Sequence, residues 1–167
     1  PRATRKGQIC SHHLHHNIGI YSSHDQSAAV RKLLETHPYL DADRIAVTGF
    51  SGGGSMSLNL LFRYPELYSV AMAGGFISDQ LLYDTVYQER YMGLPDDNPD
   101  GYKNGSPITH AEGLKGNLLI YHGTQDDNCH YQNFENLVNE LIRLNKQFTA
   151  VPYTGGTHAI KSAGDGQ

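Results

Sequence analysis

Ser51 stands in Gly49-Phe50-Ser51-Gly52-Gly53, a Gly-x-Ser-x-Gly run. A serine so placed can attack a carbonyl carbon once a neighbouring base takes its proton. The chemistry needs a strained turn between a strand and a helix, so that the hydroxyl is lifted clear of the backbone. Both flanks are present. Arg44-Ile45-Ala46-Val47-Thr48 is β-branched and apolar and reads as a strand, and Ser55 to Arg63 reads as a helix. Glycines at 49 and 53 would let strand and helix approach closely, and the backbone N–H of Gly52, near the helix N-terminus, is placed to stabilise an oxyanion.

A serine nucleophile needs a histidine to accept its proton and a carboxylate to orient that histidine. The chain has ten histidines. His122 precedes Gly123-Thr124-Gln125-Asp126-Asp127-Asn128 at a strand end and reads as a brace for that turn. His130 follows Asp126 by only four residues, on the same loop or helix start, and does not easily reach across to a serine. His158 has its own strand to carry it to the site, and its acid partner is Asp126 or Asp127. The order serine, aspartate, histidine is that of α/β-hydrolase folds.

The elements between these residues alternate between strand and helix. Residues 25–37 read as a helix with Ser23 as its N-cap and Ala28, Ala29, Leu33 and Leu34 on its inner face; Pro38 ends it. Residues 69–73, 117–121 and 147–153 read as further short strands, and 134–144 as an amphipathic helix. Such alternation predicts an α/β fold: a parallel sheet with helices on both faces and its functional groups at the C-terminal strand ends. Leu81 to Met92 reads as one helix on which Tyr83, Tyr87 and Tyr91 recur every four residues, a spacing that by itself means core packing; residues 93–116 read as a loop.

At 167 residues the chain has the size of one domain, with 38% hydrophobic and 18% charged residues. A net charge of −4 argues against a nucleic-acid partner, since nothing supplies a basic phosphate-binding face. No apolar run reaches the ~20 residues of a membrane span, and no signal peptide is recognisable. Cys10 and Cys129 make no metal or disulfide pattern. His12 and His16 have an i,i+4 spacing that a helix could turn towards a metal, but nothing nearby completes a set, so no metal site is expected. Residues 1–24 read as an irregular segment and 25–167 as the catalytic domain. Both ends look truncated, as in a piece of a larger enzyme.

Three stretches together resemble the catalytic domain of the prolyl oligopeptidase superfamily, in particular its dipeptidyl peptidase IV-like branch. They are Gly49 to Gly53, Tyr83-Asp84-Thr85-Val86-Tyr87-Gln88-Glu89-Arg90-Tyr91-Met92-Gly93, and His122 to Asn128. The similarity runs from about Asp25 to His158. It implies an α/β-hydrolase fold, a cofactor-free serine peptidase, and Ser51, Asp126 and His158 as its triad. It implies further that Tyr83 and Tyr87 wall a proline-sized pocket and that Arg90 and Asn128 bind the carbonyl of a peptide substrate. Cleavage after proline or alanine near the N-terminus, a β-propeller in the parent chain, a homodimer and an extracytoplasmic setting follow from the same likeness. Gly52, Gln80 and Cys129 replace a tyrosine, a tryptophan and an aliphatic residue of that branch, which implies an altered pocket. Two other readings are an esterase or acylaminoacyl peptidase on the same fold, and a hydrolase-fold binding module without chemistry.

Overall fold

The structure is a computed structural model that describes residues 14–161. Four parallel strands form its sheet in sequence order: β1 (Ala46–Phe50), β2 (Val70–Gly74), β3 (Asn117–Gly123) and β4 (Thr149–Tyr153). Thr48 pairs with Met72, Met72 with Leu119 and Leu119 with Thr149, so the four C-terminal ends lie along one edge of the sheet. Three of the strands reach the edge just before Ser51, Asp126 and His158.

The pleat divides the side chains. Val47, Ala71, Ala73, Leu118 and Ile120 meet the core, while Thr48, Phe50, Val70 and Met72 point the other way and are exposed. The elbow helix α2 (Gly52–Arg63) packs on β1 and β2, and α5 (Gln132–Arg143) packs on β3. Among the described residues the helical cover therefore falls on one face, where the sequence pattern suggested both. The strand order gives the reason. Each strand adds on the same side of the last, and right-handed crossovers then bring every connecting helix to the same face. α2 is enclosed almost all round, with Leu58, Leu60, Leu61 and Phe62 buried, and α5 turns in Phe134, Leu137 and Leu141.

Helix α1 (Tyr21–Thr36) starts inside the segment read as irregular, and its inner face is rotated from the expected one. Ser23 and Ser27 are buried with Val30 and Leu34 partly so, whereas Ala28, Ala29 and Leu33 are exposed. Ser23 is not a cap. Its hydroxyl donates to the carbonyls of Gly19 and Ile20, both at 2.8 Å, and so settles a polar group inside a close helix contact. His12 lies outside the described residues.

The tyrosine-rich stretch is not one helix. A 3-10 turn (Gln80–Leu82) ends at Tyr83, whose backbone is extended, and α3 (Thr85–Met92) starts afresh. Asp84 forces the break, because its carboxylate accepts from the N–H of Tyr87 at 2.8 Å as an N-cap. The expected loop at 93–116 holds α4 (Pro99–Gly105) and a 3-10 helix (Pro107–Gly113). Asn98 caps α4 and Pro99 opens it, a start signal legible in the residue types.

Candidate active site

Ser51 has φ 57° and ψ −126°, a conformation that costs a non-glycine residue about 1–3 kcal/mol. The surroundings impose it. The Ser51 N–H donates to Gly74 O at 2.9 Å, which ties the turn to β2. A Cβ on Gly49 would lie 2.2 Å from the carbonyl oxygen of Gly53, and one on Gly54 would lie 2.5 Å from Gly74 O. A Cβ on Gly53 itself would meet nothing within 4 Å. The close approach thus requires glycine at 49 and 54, where the motif pointed to 49 and 53. Gly52 occupies the first position of α2, where a backbone N–H has no partner within the helix.

The Ser51 hydroxyl lies 3.1 Å from His158 Nε2, and His158 Nδ1 lies 2.8 Å from Asp126 Oδ2. A carboxylate only accepts, so Nδ1 carries the proton and Nε2 is left to accept from the serine. Asp126 is buried, and its Oδ1 accepts the N–H groups of Asn128 at 3.0 Å and Cys129 at 2.8 Å. Asp127 is exposed. The loops carrying acid and histidine are stitched together: Gln125 N–H donates to Gly156 O, and Gly155 N–H to Thr124 Oγ1. Phe50, which the motif left as a free position, lies under the His158 ring with centroids 5.1 Å apart. No pattern in the sequence pointed to that contact.

Tyr83 and Asn128 come together, the phenol donating to Asn128 Oδ1 at 2.9 Å. Burial is the main cause that raises the Tyr83 pKa, with Cys129 and Asp84 adding to it. The rings of Tyr83 and Tyr87 meet edge to face, at 5.4 Å and 74°, because Tyr83 precedes the helix; they do not make the flat wall that a single helix would give. Arg90 is exposed, with its guanidinium over the Tyr91 ring at 5.8 Å, and no hydrogen bond or ion pair among the described residues joins it to Asn128. Gln80 is buried scaffold: Gln88 Nε2 donates to its side chain at 2.6 Å, and its own amide reaches Gly105 O. Cys129 lies beside Ser51 and Asp126, and burial pushes its thiol up to about 12. His122 is fully buried, with Nε2 2.7 Å from Cys129 O, and it braces the acid turn as its position suggested. His130 is exposed and its described contacts stay within its own loop. No group of three or more potential metal ligands occurs among the described residues. No helix among them is long and apolar enough to cross a membrane.

A serine on a strained strand-to-helix turn, with aspartate and histidine at neighbouring strand ends of a parallel sheet, is the α/β-hydrolase arrangement. The prolyl oligopeptidase family pattern matches residues 3–167, and the chain belongs to that family. It is 36% identical over 160 residues to prolyl endopeptidase FAP of Mus musculus, covering 94% of this chain and 21% of that protein. It is 33% identical over 155 residues to dipeptidyl peptidase 8 of Homo sapiens, covering 91% and 17%. The crystal structure of Porphyromonas gingivalis dipeptidyl peptidase 4 superimposes with a TM-score of 0.89 at 35% identity, over 95% of this chain and 22% of that one. The chain thus spans about a fifth of the length of these relatives.

Proposed function

We propose that these residues carry the chemistry of a serine peptidase that forms an acyl-enzyme at Ser51. The reading rests on the unbroken hydrogen-bond chain from Ser51 through His158 to Asp126, at 3.1 and 2.8 Å. Ser51 Oγ attacks the acyl carbon while His158 Nε2 takes its proton and later passes it to the leaving amine. Asp126 holds the imidazole in the Nδ1–H form and balances the imidazolium. The Gly52 N–H, free at the start of α2, donates to the developing oxyanion.

The substrate is a peptide cleaved after proline or alanine near its N-terminus. Tyr83 and Tyr87 offer the edge and face of two rings, with Tyr83 bonded to Asn128 on the acid turn, a surface suited to a compact apolar ring that asks for no hydrogen bond. Asn128 and Arg90 bind the substrate's carbonyl; the amide nitrogen of Asn128 is available because its oxygen is taken by Tyr83. The relatives' names, a prolyl endopeptidase and a dipeptidyl peptidase, support this specificity. We place residues 25–167 in the catalytic domain of a longer, extracytoplasmic and homodimeric parent chain with a β-propeller, and expect residues 1–167 alone to turn over little peptide.

A fluorophosphonate should label Ser51 of the intact enzyme, and Ser51→Ala should abolish both label and hydrolysis of proline-containing dipeptide amides. Labelling at another serine refutes the assignment. Faster turnover of p-nitrophenyl esters than of any such amide would favour the esterase reading.

A further inference from the structure

The proposed triad acid is held by a second histidine. Asp126 Oδ2 accepts from His158 at 2.8 Å and also lies 3.2 Å from Nε2 of His122. That same Nε2 lies 2.7 Å from Cys129 O, while the backbone N–H of Cys129 donates to Asp126 Oδ1. Nδ1 of His122 is buried and has no hydrogen-bond partner among the described residues. Around it the ring meets Phe76, Phe134 and Tyr131, with centroids 5.3, 5.9 and 6.0 Å away. Two acceptors on one nitrogen and none on the other fix the neutral Nε2–H tautomer. A second proton would place a charge and an unpaired donor among three aromatic rings.

We infer that His122 is a positioning residue for the triad carboxylate: its single buried N–H, shared between Cys129 O and Asp126 Oδ2, locks the rotamer in which Asp126 faces His158. The inference rests on the triad reading given above. The lock is a closed loop. Oδ1 is pinned by the amides of Asn128 and Cys129, Oδ2 by His122, and the carbonyl of Cys129 closes the circuit, so the carboxyl plane cannot turn without breaking two bonds. The titratable groups around the carboxylate are His122, His158, the Cys129 thiol and the Tyr83 phenol. Burial lowers the pKa of His122, so it remains a neutral donor while His158 cycles.

Glutamine and asparagine at position 122 separate this role from simple packing. A glutamine amide reaches the place of Nε2, whereas an asparagine amide falls near Nδ1, where there is nothing to bond. In the intact enzyme, His122→Asn should lose roughly 10- to 100-fold in kcat with KM little changed, the worth of one hydrogen bond to a charged group. His122→Gln should recover most of it. Equal activity of the two variants would overturn the positioning role, and since both are amides a shared loss of folding stability would not mimic the expected difference. The fluorophosphonate label distinguishes the two levels. If Ser51 is not labelled, the triad reading fails and takes this inference with it; if Ser51 is labelled and the variants match, the inference alone fails.

Discussion

Replacing Asp126 with asparagine tests the site most sharply, because the environment of its carboxylate leaves an amide no good orientation. Four N–H groups converge on the carboxylate: those of Asn128 and Cys129 on Oδ1, and those of His158 and His122 on Oδ2. An amide has one oxygen to offer them. If that oxygen faces the two backbone amides, its NH2 meets the N–H of both histidines. His158 can escape by moving its proton to Nε2, and it then points a donor at Ser51 and has no lone pair to accept the hydroxyl proton. If the oxygen faces the histidines, the NH2 opposes two backbone donors that have no alternative form. The first arrangement is therefore favoured, and the expected loss in kcat is ~10⁴-fold, the size seen when a triad histidine is held in the wrong tautomer. That corresponds to ~5.5 kcal/mol of barrier. Asp127 is exposed and touches neither histidine, so Asp127→Asn should stay within about threefold, as surface changes do. Turnover of a proline amide and the second-order rate of Ser51 phosphonylation should fall together in Asp126→Asn. Similar losses at 126 and 127, or a loss below tenfold at 126, would refute the tautomer reasoning.

The elbow glycines should separate by urea unfolding: Gly49→Ala and Gly54→Ala each cost about 1–3 kcal/mol or more, because a methyl meets backbone, whereas Gly52→Ala, opening into free space on a helix, is neutral or gains up to about 1 kcal/mol. Equal effects at the three positions would remove the close-approach account. Alkaline stability should reflect Cys129. The folded thiol keeps its proton to about 12 while the unfolded one loses it near ~8.5, so stability declines as pH rises through that window, by at most about 1.4 kcal/mol per pH unit. Cys129→Ala should flatten that decline, and a slope identical to the parent's would show that the thiol does not titrate out of register.

The parts of the fold that follow from local pattern were legible. The apolar runs read at 44–48, 69–73 and 117–121 fall within two residues of β1, β2 and β3, the amphipathic face of Phe134, Leu137 and Leu141 carries its own periodicity, and the order of Ser51, Asp126 and His158 after three of the four strands led to one sheet edge. Asp126 could be told from Asp127 only by family resemblance, since both follow the same strand. What escaped was decided by caps and by neighbours distant in sequence. Asp84 terminates one turn and starts another, which no four-residue tyrosine spacing reveals, and so Tyr83 and Tyr87 meet edge to face. The inner face of α1 is set by Ser23 and Ser27, and the Ser23 hydroxyl is absorbed by the preceding turn; small polar residues of this kind are poor markers of burial in a hydropathy pattern. That Gly54, and not Gly53, lies against β2 depends on how the helix is rotated over the sheet.

The site joins two kinds of restraint that oppose each other. Ser51 is held in a costly backbone conformation by glycines that permit it and by a hydrogen bond to Gly74, so strain is concentrated at the proposed nucleophile. The acid side has the opposite character: both oxygens of Asp126 accept N–H groups, and its turn is sealed by His122 and by the loop of His158. Between them His158 is partly open, resting on Phe50. In the proposed mechanism it is the one member that changes charge during turnover, and it is also the one partly open to solvent. Rigidity on the acid side keeps the imidazole aimed while the proton moves, and for that reason a loosened Asp126 should cost catalysis before it costs the fold.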